Sequence, residues 1–128
     1  MTNATVFYGY DLGGPGDWRL TPGTRISRLM NNEFEEWLTE REEAAGRTLD
    51  DLGITEGQYH ETRPSPRWTL TPKKSLYYVD AREPLDLSAV MTRRDQAWDD
   101  ALTEALRLLG VTPTQPAPKW LLTLDHGY

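Results

Sequence analysis

The feature that most constrains the fold is an amphipathic helical pattern between Thr92 and Gly110. Its apolar residues recur at the three- and four-residue spacings of an α-helix: Trp98, Ala101, Leu102, Ala105, Leu106 and Leu109. Acidic and basic residues fill the other side, and Gly110 stands where such a helix is expected to end. Because a helix of this kind is stable only when its apolar side is covered, the rest of the chain must supply a layer for it to pack on.

A second helical pattern lies between residues 26 and 45. Its apolar positions are Ile26, Leu29, Met30, Phe34, Trp37, Leu38, Ala44 and Ala45. Asn32 and Glu35 have the spacing of a capping box, which predicts that the helix begins, or restarts, near residue 33. Gly46 predicts its end. Residues 47–65 show no clear period, and we assign no element there.

Four segments have the β-branched and aromatic composition of strands. They are residues 5–10, 67–71, 75–79 and 119–124. The short connection Pro72-Lys-Lys favours an antiparallel hairpin between the two middle segments. The first and third strands are expected to lie side by side and parallel, since each β-α-β half should cross over right-handedly.

The resulting order, β-α-β-β-α-β, predicts an α+β fold. We expect the ferredoxin-like (split βαβ) arrangement, with two amphipathic helices on one face of a four-stranded, mainly antiparallel sheet. An irregular α+β fold with further elements in residues 47–65 is the alternative. The chain of 128 residues contains no internal repeat, so we expect residues 1–128 to form a single domain.

Composition excludes several function classes. The chain has no cysteine, which removes thiolate nucleophiles, CxxC redox pairs and Cys-ligated metals, and we expect no cofactor. It has neither a signal-peptide pattern nor an apolar run near the roughly 20 residues that span a bilayer, so we expect a cytoplasmic protein. Arginine far outnumbers lysine, and Ala, Gly and Pro are frequent, a bias typical of a high-GC genome such as that of an actinobacterium or its phage.

The negative charge is concentrated in one predicted helix. The formal net charge is −6, and residues 33–43 hold six glutamates against Arg41 alone. Glutamates on a helix most often form a solvated face. Our hypothesis is instead that they dock on a basic surface of a partner protein, through Glu33, Glu36, Glu40 and Glu43. Trp18, in a Gly/Pro-bounded loop, is the predicted contact anchor. The oligomeric state is left open.

This hypothesis describes a small accessory protein without catalytic residues, encoded for example by a phage or mobile element. One alternative is a small metal-dependent enzyme, because Asp11 and Asp80 follow predicted parallel strands and would share a sheet edge where carboxylates can hold Mg²⁺. The plain interpretation of both residues is that they belong to turns, where Asp bonds nearby backbone amides.

A second alternative is RNA binding. Val6-Phe-Tyr-Gly-Tyr-Asp-Leu12 resembles the first-strand motif of RNA-recognition motifs, and Lys74-Ser-Leu-Tyr-Tyr-Val79 resembles their third-strand motif. The resemblance implies that Tyr8, Tyr10 and Tyr78 stack on bases. The acidic net charge argues against a nucleic-acid partner, since phosphate binding depends on an excess of Lys and Arg.

Overall fold

A computed structural model of the chain describes residues 3–29, 33–59, 67–79 and 82–125, in which five strands and three α-helices form an α+β fold. The elements are β1 (Asn3–Gly13), α1 (Phe34–Ala45), β2 (Ile54–Tyr59), β3 (Arg67–Pro72), β4 (Tyr77–Val79), α2 (Leu87–Met91), α3 (Gln96–Leu109) and β5 (Lys119–Asp125). Short 3-10 turns occupy Arg25–Arg28, Asp50–Leu52 and Lys73–Ser75. Of the helices in these ranges, none combines the length and the apolar character needed to cross a bilayer.

Both long helices lie within the predicted segments, but α3 begins at Gln96 rather than near Thr92, and Arg25–Arg28, at the start of the second pattern, form a 3-10 turn. The short helix α2 is an addition to the two predicted helices. Asp95 caps α3 by accepting a hydrogen bond from the Ala97 amide (2.9 Å), and Gly110 ends it with a φ of 69°, which a residue with a Cβ adopts at a cost. The other helix, α1, begins at Phe34, as the restart near residue 33 predicts, and ends at Gly46. Met30 and Asn32, two residues of the predicted pattern, lie outside the described residues.

The sheet is antiparallel throughout. The central strand, β1, pairs with β5 along one edge and with both β3 and β4 along the other, and β2 pairs with the outer side of β3. Thr5, for example, lies between Thr123 of β5 and Tyr78 of β4. The predicted parallel pairing of the first and third strands is therefore wrong, and the split βαβ arrangement is not confirmed.

The predicted hairpin at Pro72-Lys-Lys is also replaced by another structure. β3 and β4 both run antiparallel to β1, as two parts of one interrupted strand with the 3-10 turn between them. At the interruption, Ser75 Oγ accepts from the Tyr8 amide (3.1 Å) and Thr71 Oγ1 donates to the Tyr8 carbonyl (2.8 Å). Side-chain hydroxyls thus satisfy the backbone of β1 where the ladder is broken.

The sheet contains one strand more than the sequence predicts. This strand, β2, lies within residues 47–65, to which we assign no element. Its pattern is difficult to recognise because the face toward α1 carries Ile54 and then Glu56, and Gly57 occupies the middle. A central glycine and a polar residue on the inner face are both unusual in a strand. Strand β2 extends the sheet on the outer side of β3, where the prediction has no strand.

The core lies between the sheet and the helices. Phe34 of α1 stacks on Trp68 of β3, with ring centroids 3.9 Å apart. Tyr8 contacts Trp98 of α3 and Trp120 of β5, so a second group of aromatic rings packs between the sheet and α3. The remaining buried members include Leu12, Leu20, Ile26, Trp37, Leu49, Ile54, Leu70, Leu102, Ala105 and Leu109.

Candidate functional site

Four exposed glutamates form a line along the outer side of α1. We call Glu33, Glu36, Glu40 and Glu43 the acidic stripe; all four are exposed. Their spacings of three, four and three residues place them on one face of the helix. Phe34, Trp37 and Leu38 are buried on the inner side. The structure therefore brings together the four glutamates of the docking hypothesis.

No cation neutralises this stripe within the part of the chain that the structure describes. None of its four members takes part in an ion pair there. The last turn of α1 contains no basic residue. Arg41, the basic residue of this helix, lies against Gly110 at the end of α3 instead. The stripe consequently presents to solvent negative charge that no described cation compensates.

Other carboxylates near α1 have structural roles or add to its negative charge. Glu42 accepts a hydrogen bond from the Leu49 amide (2.7 Å), which ties the end of α1 to the following turn. Burial raises the pKa of Glu56 on β2, and the nearby carboxylates of Glu42 and Glu35 raise it further. The flank of α1 that faces the sheet is thus acidic as well.

Trp18 is half-buried rather than fully exposed. Its ring stacks beside Phe34 with centroids 6.5 Å apart and an interplanar angle of 17°. The indole Nε1 is buried, and among the described residues it finds no hydrogen-bond acceptor. Trp18 therefore packs under the start of α1, and its use as a contact anchor stays a prediction.

Asp11 lies in a polar network that the sequence analysis missed. Its Oδ1 accepts from the Tyr59 hydroxyl (2.5 Å) and from the Gly13 amide (3.1 Å), and its Oδ2 pairs with Arg19. Asp17 then joins Arg19 (3.4 Å) to Arg67 (2.6 Å). Burial, followed by the bond to Asp11, raises the pKa of Tyr59. These contacts join β1, β2, β3 and the loop after β1.

This network does not resemble a metal site. Both oxygens of Asp11 already have protein donors, and its predicted companion Asp80 lies outside the described residues. Within the described ranges, no three His, Asp or Glu side chains are grouped closely enough to hold a metal ion. The bond from Asp11 to the Gly13 amide matches the turn interpretation of this residue.

A groove of about 320 Å³ lies on the sheet face opposite the helices. Phe7 is buried there, Tyr59 stands at the end near Asp11, and threonines supply much of the lining: Thr5, Thr55, Thr69, Thr71 and Thr123. The sequence signal for this face is the alternation of Thr with large apolar residues along β3. The hydroxyls can form hydrogen bonds but supply no strong acid or base.

The three tyrosines of the RNA-binding alternative do not share a surface. Tyr8 and Tyr10 are only 3% and 7% exposed, because they lie on the helix-covered face of β1. Tyr78 is 74% exposed and belongs to the opposite face. Stacking on bases requires exposed rings on one face of the sheet, so this arrangement does not form the implied RNA-binding surface.

Comparisons of the chain with protein-family models, with curated proteins and with solved structures give no match. Among the surfaces described above, the acidic stripe aligns four exposed glutamates that form no ion pair with another described residue.

Proposed function

We propose that this protein is a non-enzymatic binding protein that docks on a basic surface of a partner protein through the acidic stripe. The observation that supports the proposal is the alignment on one face of α1 of four exposed glutamates, none of which forms an ion pair with another described residue. A cytoplasmic accessory role in a phage or mobile element, consistent with the Arg-rich composition, is part of this proposal.

Two glutamates of the stripe, Glu40 and Glu43, carry charge that does not stabilise α1, whereas Glu33 and Glu36 lie at its amino end, where the helix dipole favours negative charge. Like charges three or four residues apart on a helix destabilise it by a few tenths of a kcal/mol per pair. Glu40 and Glu43 also lie toward the carboxyl end of α1, where negative charge interacts unfavourably with the helix dipole. A row of basic groups on a partner would relieve both effects and accelerate association.

The geometry also sets the size of the partner's surface. From Glu33 to Glu43 the helix rises about 15 Å, at roughly 1.5 Å per residue. A complementary surface therefore needs basic groups along a line of about that length. Arginine side chains suit it best, because their guanidinium groups can bind carboxylates in a bidentate manner.

A binding measurement with a defined probe tests the proposal. A fluorescently labelled oligo-arginine peptide long enough to span the stripe is titrated with the protein, and anisotropy is recorded. In the variant Glu40→Gln/Glu43→Gln, the loss of two exposed charge contacts is expected to weaken binding roughly 2- to 30-fold. Added salt is expected to weaken wild-type binding as well.

The matched control is Glu83→Gln/Asp100→Asn, which removes the same formal charge from exposed positions outside the stripe. If the stripe is the docking surface, this control binds the peptide nearly as well as the wild type. Equal losses in the two variants would show that net charge alone attracts the peptide, and the docking proposal would then be wrong.

A further inference from the structure

We propose that the outer edge of β5 is an interface between two copies of this chain. In the proposed dimer, the two β5 strands pair antiparallel about a twofold axis at Leu122, which joins the two sheets into one. This surface is separate from the acidic stripe, and the inference does not depend on the proposed function.

Among the described residues, the edge of β5 that faces away from β1 forms no backbone hydrogen bonds. Along the described chain, β5 pairs only with β1, in an unbroken register from Asn3–Asp125 to Gly9–Lys119. The backbone of Tyr8 points away from β5, because its amide and carbonyl bond to the hydroxyls of Ser75 and Thr71.

The register then shows which β5 groups face outward. Trp120 lies opposite Tyr8, so this is a pair without mutual hydrogen bonds, and the Trp120 amide and carbonyl point to the free edge. The alternation of an antiparallel ladder gives Leu122 and Leu124 the same orientation. Three residues of β5 therefore offer backbone donors and acceptors that β1 does not use.

An apolar surface lies beside this edge of β5. Leu122 and Leu124 are 56% and 52% exposed, and Trp120 on the same face of the strand is half-buried. A strand edge with exposed leucines is a strong template for pairing with another strand. In the twofold arrangement, Leu122 meets its own copy and Trp120 lies opposite Leu124.

The charged residues of β5 are arranged so that the strand complements a second copy of itself. Lys119 and Asp125 stand at the two ends of β5, three residues on either side of Leu122. Antiparallel pairing about Leu122 places Lys119 opposite Asp125 of the second copy, at both ends of the interface. Opposite charges facing each other across strands stabilise the pairing.

The same register uses all of the outward backbone groups. Pairing centred on Leu122 forms hydrogen-bonded pairs at Leu122 itself and between Trp120 and Leu124, for about six backbone hydrogen bonds in total. A slip of one strand by one residue would set these outward groups opposite inward-facing groups of the other copy, and it would also move Lys119 away from Asp125. Hydrogen bonding and charge thus favour one register.

The first test is the mass of the full chain in solution, measured by light scattering and sedimentation equilibrium over a wide range of concentration. The wild type is expected to form dimers, and Leu122→Arg is expected to remain monomeric at the concentrations where the wild type dimerises. Leu87→Arg is the matched control, because Leu87 on α2 is equally exposed at 53%. Circular dichroism checks that each variant is folded.

The second test is a charge exchange. Lys119→Asp and Asp125→Lys each place like charges opposite one another at both ends, so each is expected to raise the dimer dissociation constant by tenfold or more. The double variant Lys119→Asp/Asp125→Lys restores opposite charges and is expected to dimerise like the wild type. Failure of the double variant to recover, when both single variants are weakened, would exclude this register.

Amide hydrogen exchange distinguishes strand pairing from association through the leucine side chains alone. In the dimer, the amides of Trp120, Leu122 and Leu124 are expected to exchange much more slowly than in Leu122→Arg. The amides of Leu121 and Thr123, which face β1, are expected to be protected in both. A wild type that is monomeric at every concentration, or a dimer in which the three outer amides stay unprotected, would overturn the proposal.

Discussion

The Tyr8 hydroxyl donates a hydrogen bond to Asp99 Oδ1 across 2.6 Å and so ties the central strand to α3. Arg94 pairs with the other oxygen of Asp99 and lies over the Tyr8 ring, 5.6 Å from its centroid. The ring itself is buried against Trp98 and Trp120. One tyrosine thus combines core packing with a bond to a charged acceptor.

We predict that Tyr8→Phe keeps the packing and loses this bond, which lowers the free energy of unfolding by about 1.5–3 kcal/mol. Urea denaturation measures the change. Tyr78→Phe is the control, because Tyr78 is largely exposed and its loss of a hydroxyl should change stability little. Similar effects of the two substitutions would contradict a special role for the Tyr8–Asp99 bond.

The same pair predicts how stability depends on pH. Burial, and then the bond to Asp99, raises the pKa of Tyr8 from 10.0 to about 12. The folded protein therefore keeps a proton that the unfolded chain loses, so this contribution to stability is complete below pH 10 and disappears as the pH rises toward about 12.

In acid, Asp99 makes the stability of the fold depend on pH in the opposite direction. Burial acts to raise its pKa, but the hydrogen bonds from Tyr8 and Arg94 together lower it below 3.8. Its contribution is present above pH 3.8 and is lost as the pH falls through the folded-state pKa. Thermal denaturation across pH tests both contributions. At both pH extremes, the melting temperature of Tyr8→Phe is expected to fall less steeply than that of the wild type. Identical profiles would contradict the link between the Tyr8–Asp99 bond and the pH dependence of stability.

Some elements of the fold can be predicted from local sequence because their signals are local. The period of the apolar residues in α3 and the stop at Gly110 are complete within the segment itself. The break between β3 and β4 is different: Pro72-Lys-Lys has the composition of a hairpin turn, but Ser75 and Thr71 bond to Tyr8, more than sixty residues away. Local spacing contains no information about such a contact.

The candidate site also combines features that local sequence predicts with features that depend on distant contacts. The acidic stripe follows from helical spacing, so the sequence predicts it residue by residue. The network around Asp11 depends on Tyr59 of β2, a strand that the sequence pattern does not reveal. Local sequence does not predict this network, because it depends on the sheet order, which is set by pairing between distant segments.

Gly9 of β1 lies against the backbone of β3. A Cβ at this position would stand 2.0 Å from the Leu70 carbonyl oxygen, a backbone atom that cannot turn aside. We therefore predict that Gly9→Ala lowers the free energy of unfolding by about 1–3 kcal/mol. Gly16→Ala is the control, since nothing lies within 4 Å of a Cβ there. Chemical denaturation of both variants measures the difference; a Gly9→Ala protein as stable as the control would contradict the close approach.

The Tyr59–Asp11 bond predicts a structural role for this carboxylate. Tyr59→Phe removes a hydrogen bond to a charged acceptor and is expected to lower the free energy of unfolding, measured by urea denaturation, by about 1.5–3 kcal/mol.

Because both oxygens of Asp11 are occupied, titration of the wild type with Mg²⁺ is expected to leave the amide NMR signals of Asp11 and Gly13 unshifted. Saturable shifts of these signals would instead support the metal-dependent alternative.

The acidic stripe predicts opposite effects of one variant on stability and on binding. Glu40→Gln/Glu43→Gln removes a like-charge pair from the part of α1 where the helix dipole disfavours anions. We expect the free energy of unfolding to rise by about 0.2–1 kcal/mol, with thermal and urea denaturation as the measurements. The control Glu83→Gln/Asp100→Asn lies outside this helix and should bring no such gain. A variant that is more stable, yet binds the arginine-rich peptide more weakly, would show that these charges serve docking at the expense of helix stability. A loss of stability would instead show that the fold needs these charges. The docking proposal would then lose its physical basis.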